Sequence, residues 1–282
     1  MKYENQTFDE ERALYGVHDA HIVNCVFDGP ADGESALKEC GRLTVDNCDM
    51  NLRYPFWHVN QALISNCRMP ETCRAALWYD RDITLRSCIM NGIKALRECD
   101  DSVVEDCTIH SPEFGWICRG ITVKNTELVS EYPFFQSRDL EINGLHMKGK
   151  YSFQYVENAV IRNSVLDTKD AFWHSKNVTV VDCVVKGEYL AWYSENLKLV
   201  RCRIIGTQPL CYARGLVLED CEMENTDLAF EKSQVTASVK GSILSVKNPA
   251  EGRIEADGIG EIILDEYRSR DTCCEIVCRE QS

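Results

Sequence analysis

Apolar residues recur along this chain with two superimposed periods. Within short segments they alternate with polar ones, as in 177–185 (NVTVVDCVV), 196–204 (NLKLVRCRI), 215–223 (GLVLEDCEM), 82–90 and 101–109. In the first of these, Val178 and Val180 share one side, Thr179 takes the other, and Cys183 and Val185 resume the apolar side after Asp182. Alternation of this kind, rich in β-branched residues, predicts short half-buried strands. The segments themselves repeat. Cys25, Cys48, Cys67, Cys88 and Cys107 follow one another at 23, 19, 21 and 19 residues, and Thr126, Leu145, Ser164, Cys183, Cys202 and Cys221 continue at 19. A fixed period predicts a solenoid, in which each repeat buries its apolar side only against its neighbours. The expected fold is therefore all-β, a parallel β-helix of about 12 rungs of about 19 residues. Residues 1–282 are expected to form a single domain, with an N-terminal cap over 1–13, rungs over 14–248, and an irregular last rung and cap over 249–282.

Two corners are predicted in every rung. One holds Asp82, Asp101, Asp139, Asn158, Asn177, Asn196 and Gly215; the other holds Asn47, Asn66, Asp106, Asn125, Asn163, Asp182 and Asp220. Asn, Asp and Gly tolerate a left-handed backbone, and stacked Asn side chains can hydrogen-bond from rung to rung. A third short strand is expected before the first corner, as in 172–175 and 191–194. The third corner, in segments such as 168–170 and 186–188, varies most in composition. Longer insertions at 29–35 and 69–74 are expected to project as loops.

Composition narrows the function. The net charge of −14 argues against a general nucleic-acid binder and against an anionic membrane surface. The polar start, 1–12, has no apolar signal core, and no later stretch could span a bilayer, so a cytoplasmic protein is expected. Most of the 16 cysteines fall at repeat positions and read as reduced, buried, small side chains. Cys273, Cys274 and Cys278 stand outside the repeat, and no matching His or Cys pair has ligand spacing, so no metal and no cofactor are expected. No phosphate loop, zinc motif, nucleophile elbow or dinucleotide fingerprint is present.

The candidate chemistry lies on the third strand. Ten residues before each repeat position stand Lys38, Trp57, Trp78, Arg97, Trp116, Gln154, Trp173 and Trp192. Nine before it stand Glu39, His58, Tyr79, Glu98, Tyr155, His174, Tyr193 and Tyr212, and eight before it stand small residues such as Cys40, Cys99, Ser175 and Ser194. Strand alternation sends the Glu/His/Tyr row outward and the Trp row inward, which leaves Lys38, Arg97 and Gln154 facing the core at a cost; a bulged strand, or the two rows trading places, is the alternative, and either way one aromatic-rich row lines an outer face. An exposed row of Tyr, His and Glu suits a carbohydrate or related ligand. In that reading the eight residues of the row are the ligand-binding set, and Glu98, Asp80, His58 and His174 are the weak catalytic candidates. Glu39 and Glu98 would stand about 14 Å apart, too far for a glycosidase pair. The alternatives are a non-enzymatic scaffold whose aromatic face docks a protein or a second copy as a homodimer, and, more weakly, a polysaccharide lyase or hydrolase.

Several strings carry a resemblance: ERALYG (11–16), DGESALKEC (32–40), FWHSKNV (172–178), GEYLAWYSENL (187–197) and GTQPLCY (206–212). They resemble an uncharacterised bacterial family, domain of unknown function 3737, over nearly the whole chain. The resemblance implies a right-handed, single-stranded parallel β-helix similar to pectin lyase folds. It implies no activity, and the calcium-binding acid clusters and catalytic Arg of pectin-lyase-like enzymes have no recognisable motif here.

Overall fold

The computed structural model describes residues 1–29, 33–268 and 272–279. Of the loop expected at 29–35, residues 30–32 lie outside the described residues, as do 269–271 and 280–282 of the expected C-terminal cap. The chain divides into two compact units, Met1–His146 and Met147–Ser282. It is an all-β parallel β-solenoid of about 14 turns, about 19 residues apart. The excess over 12 rungs comes from both ends. Lys2–Glu4 pairs in register with His18–Val23, and Thr7–Phe8 pairs with Val26–Phe27, so the expected N-terminal cap is itself a rung. Past residue 248, Glu251–Ile263 and Cys273–Cys278 continue the parallel ladder. Among the described residues no helix is long and apolar enough to cross a membrane.

The first two faces of each rung follow the alternation. Lys176–Val181 pairs with Glu195–Val200 so that Val178 meets Leu197 and Val180 meets Leu199, all buried, with Thr179 and Lys198 outside. Both predicted corners have left-handed backbone, with φ of 54° at Asp82, 53° at Asn177, 53° at Asn66 and 54° at Asp182. The asparagine rows hydrogen-bond along the axis: the Asn47 amide donates to Asn24 Oδ1 at 2.8 Å, and the Asn196 amide to Asn177 Oδ1 at 3.0 Å.

The cysteine positions are more than small apolar fillers. At the second corner the carbonyl two residues before the repeat position turns inward, and the thiol donates to it. Cys48 Sγ reaches Asp46 O at 3.2 Å, Cys67 Sγ reaches Ser65 O at 3.1 Å and Cys183 Sγ reaches Val181 O at 3.1 Å. The same sulfur accepts the N–H of the equivalent residue one rung earlier, as from Cys25 N to Cys48 Sγ at 3.3 Å and from Cys48 N to Cys67 Sγ at 3.4 Å. Thr126 and Ser164 use hydroxyls identically, donating to Lys124 O at 2.8 Å and to Arg162 O at 2.7 Å. Buried backbone groups must be paired, and this column pairs those that a corner withdraws from the ladder.

The third face departs from expectation. Among the described residues it holds three two-residue strands, Phe56–Trp57, Leu77–Trp78 and Leu96–Arg97; in the second unit it is a succession of turns. Left-handed residues alternate with extended ones here: φ is 58° at Phe153 and 57° at Tyr155, then 60° at Phe172 and 54° at His174. A left-handed residue breaks the up-down alternation of a strand, so two successive side chains face outward. Phe56, Phe134, Phe153 and Phe172 are fully buried, whereas the Trp row and the Glu/His/Tyr row both lie outside. The inward placement expected for the Trp row is therefore corrected. Lys38, Arg97 and Gln154 bury no charge or amide in the core.

Asp80 is also corrected. It occupies the small-residue column of the first corner, 1% exposed, below the surface rather than on it. Its Oδ1 accepts the Val59 N–H at 2.7 Å, the role that Cys118 Sγ plays for Cys99 N at 3.5 Å, while Oδ2 has no hydrogen-bond partner among the described residues. Burial pushes its carboxyl well above the usual carboxylate range, and nearby Cys99 adds to the shift. Asp80 is therefore out of reach of a ligand on the outer face.

Two stability tests follow from these columns. Cys67→Ala strips the carbonyl at Ser65 and the N–H of Cys48 of a buried partner and is expected to cost about 1–3 kcal/mol, whereas Cys67→Ser keeps both bonds and costs less; urea unfolding of the two variants checks the order. For Asp80, the folded-state pKa lies above the unfolded one, so its stabilising contribution is full below about pH 4 and is lost as pH rises from there toward the folded value. Asp80→Asn is expected to match the wild type most closely in acid and to exceed it in melting temperature by a margin that widens from pH 4 to pH 8. A margin independent of pH would show that Asp80 is ionised in the fold.

Candidate functional site

The eight residues of the predicted row stand in one column position of the third face, all left-handed, with φ from 51° at Glu98 to 60° at Glu39 and Tyr193. The two units carry four each, and they differ.

In the first unit only His58 and Tyr79 stack, ring centroids 5.1 Å apart and 11° from parallel. Behind them Trp57 and Trp78 stack at 5.4 Å, with the Lys38 ammonium 3.9 Å from the Trp57 ring centre. Glu98 is not free for chemistry in this arrangement. Its Oε1 accepts from Arg97 Nε at 3.0 Å and more weakly from Trp78 Nε1 at 3.4 Å. Its hydrogen bond and charge hold the Tyr79 phenol above its usual range. Glu39 is exposed at the far side of His58, so the two glutamates are three rungs apart, as expected.

The second unit brings its four together. Tyr155 and His174 stack at 5.0 Å and 7°, His174 and Tyr193 at 5.1 Å and 8°, Tyr193 and Tyr212 at 5.0 Å and 13°. The ladder ends where the Tyr212 hydroxyl donates to Glu231 Oε2 at 3.4 Å. Because each ring covers its neighbour, the faces inside the stack are occupied and the edges point to solvent. Phenol hydroxyls and an imidazole edge recur at the rung spacing, with Tyr155 46% and Tyr193 44% exposed.

The Trp row anchors this ladder from beside it. Trp173 Nε1 donates to Tyr189 O at 2.6 Å and Trp192 Nε1 to Gln208 O at 2.8 Å, while their rings stack at 5.5 Å and 2°. Gln154 stands in the same row, and its amide donates to Asp170 O at 3.1 Å. Each side chain thus reaches the third corner of the following rung and satisfies a carbonyl there. The even 16-residue reach from Trp to corner is the signal in the sequence that could have marked the row as outward and structural.

A further concavity of about 360 Å³ lies at the second corner of the second unit, between the Asp182, Arg201 and Asp220 row and Arg203, Glu222 and Lys240. Asp182 and Arg201 are paired there at 2.7 Å. Among the described residues no group of three or more His, Cys, Asp or Glu is placed to hold a metal ion.

Known proteins with similar structures share the β-helix architecture at low identity. The periplasmic alginate epimerase AlgG is 12% identical over 92% of this chain and 76% of its own, with a TM-score of 0.34. The A-module of the Azotobacter vinelandii mannuronan C-5 epimerase AlgE4 is 9% identical over 96% of this chain and 90% of its own, at 0.28. The catalytic domain of a GH87 α-1,3-glucanase in complex with nigerose is 10% identical over 98% of this chain and 63% of its own, at 0.33. No curated protein matches the chain. Similarity this low transfers no activity. The family described as "Protein of unknown function (DUF3737)" matches residues 1–277, and the chain belongs to that family.

Proposed function

We propose that this protein binds an extended glycan along the edge of the Tyr155–His174–Tyr193–Tyr212 ladder. The observation that carries the reading is the regular recurrence of stacked rings, their centroids 5.0 to 5.1 Å apart. An extended 1,4-linked glycan advances by about one pyranose ring per residue, a length of the same order, so successive sugars can meet successive rungs. An extended peptide fits less well, since its same-side residues recur at about 6.6 Å. With the inner faces of the rings occupied, recognition rests on hydrogen bonds from phenol and imidazole edges rather than on sugar–ring stacking. His174 supplies a ring nitrogen between two phenols. In the first unit, His58, Tyr79 and Glu39 would supply further polar contacts. A lyase or hydrolase built on Glu98 or Asp80 is not supported, because Glu98 is held by Arg97 and Asp80 is buried.

The second reading is self-association through the same exposed phenols. Light scattering separates the two: a dimer that dissociates on Tyr193→Ala favours association.

For the glycan reading, the Tyr193→Phe, Tyr212→Phe double variant keeps the stack and removes two hydroxyls. It is expected to bind a 1,4-linked oligosaccharide roughly tenfold more weakly in affinity electrophoresis, with a melting temperature lowered only by the loss of the Tyr212–Glu231 hydrogen bond. A wild-type protein that binds none of a panel of extended glycans would rule the reading out.

A further inference from the structure

The last strand of the ladder, Cys273–Cys278, leaves an open edge on the second unit. It pairs on one side with Glu251–Ala256, and among the described residues no strand pairs with the other. Such an edge is a template for a further strand, and proteins blunt it with lysine, proline or a bulge. This strand has none of these: it reads CCEIVC, and none of its residues is left-handed. It is also held firmly from beneath. Arg253 Nη1 donates to Glu275 Oε2 at 2.5 Å, and Arg279, just past the strand, donates to Glu255 Oε1 at 2.8 Å and to Asp257 Oδ1 at 2.7 Å.

The register fixes where each group points. The Cys273 N–H donates to Ala250 O at 2.9 Å, toward the preceding rung. Backbone groups alternate along a strand, so those of Cys274, Ile276 and Cys278 point away from that rung. The side chains of the same three residues share the inward side, since Ile276 stands opposite Ile254 and Cys278 opposite Ala256, both fully buried. With no strand beyond them, all three are only half-buried. Ile262, Leu264 and Tyr267, in the segment leading to the strand, are exposed as well.

A two-fold axis through Ile276 makes this edge its own complement. Antiparallel pairing about it sets Ile276 against Ile276 of a second copy, Cys274 against its Cys278, and Glu275 against its Val277. Every outward N–H then meets an outward carbonyl. Inward side chains meet inward ones, and no like charges oppose. An axis through Glu275 sets two glutamates face to face, and one through Val277 leaves only Ile276, Val277 and Cys278 within the pairing. The occupant that matches this edge residue for residue is therefore a second copy of the chain.

We infer that this protein forms a two-fold dimer in which two Cys273–Cys278 edges pair antiparallel about Ile276 and cover the open ends of both cores. The contact is separate from the tyrosine ladder and does not rest on the glycan reading.

Sedimentation of the full chain from submicromolar to high micromolar concentration is expected to show a reversible dimer. Ile276→Lys sets two ammonium groups against each other and is expected to weaken the dimer roughly tenfold or more, whereas Tyr193→Ala leaves it unchanged. Disulfide trapping reads the register. Opposed Cys274 and Cys278 have Cα atoms about 5.5 Å apart, within disulfide range. With glutathione disulfide as oxidant, each pair forms one S–S bond and passes two protons and two electrons to the oxidant, which leaves as two glutathione molecules. A non-reducing gel then shows a dimer band. Cys273 is the one exposed cysteine among the described residues and would carry an adventitious cross-link. The band is expected to persist in Cys273→Ser, to vanish in Cys274→Ser and in Cys278→Ser, and to return when those two variants are mixed, because one Cys274–Cys278 pair is then restored. A monomer at every concentration, a dimer indifferent to Ile276→Lys, open-ended assemblies that stack the first rung of one copy on the last of another, or a band that needs Cys273 overturns the inference.

Discussion

Every rung of this solenoid must bend, and each bend withdraws a backbone N–H and a carbonyl from the parallel ladder and turns them inward. Everything else depends on those groups finding partners, because an unpaired buried amide costs about as much as a good hydrogen bond contributes. The thiol and hydroxyl column supplies the partners. A cysteine, serine or threonine can donate to its own corner and accept from the rung before. The demand on the side chain is for one donor and one acceptor on a short stem. Cysteine meets it at least cost in burial, since the sulfur behaves otherwise as a small apolar group.

The third face solves the same problem differently and thereby creates the surface. Left-handed residues at every second position let the chain fold back without a regular strand, and the result is two outward rows in place of one. The inner row of tryptophans and Gln154 is spent on corner carbonyls. The outer row presents phenol and imidazole edges. Rigidity of the ladder is a product of the anchoring beneath it, since Trp173 and Trp192 hold both the corner and the flank of the rings.

Much of this was legible in the chain. The 19-residue period, the two Asn/Asp corners, the stacking of asparagines and the inward Val and Cys positions all follow from alternation and from which residues tolerate left-handed backbone. The side taken by the Trp row was not legible, because His58, Tyr155 and Glu98 give no sign of a left-handed conformation and alternation was applied where it does not hold. Asp80 read as a surface acid because its burial follows from its column, where Cys40, Cys99 and Cys118 stand in other rungs, and not from its immediate neighbours.

The column also bears on how such a chain can change over generations. Duplicating or losing one whole rung leaves every thiol opposite its amide, so lengthening is a neutral step as far as the corners are concerned. Losing one residue within the strands that flank the second corner moves a thiol off its amide and strands two polar groups at once. The shorter repeats support this view. Pairing slips from Leu218 to Cys221 and again from Val239 to Ser242, and there the column position is held by Val239 and Ala256. Where the thiols stop, the spacing drifts; where they continue, length changes are confined to whole turns or to the projecting loops, as in the 23-residue step across which Cys25 N still reaches Cys48 Sγ.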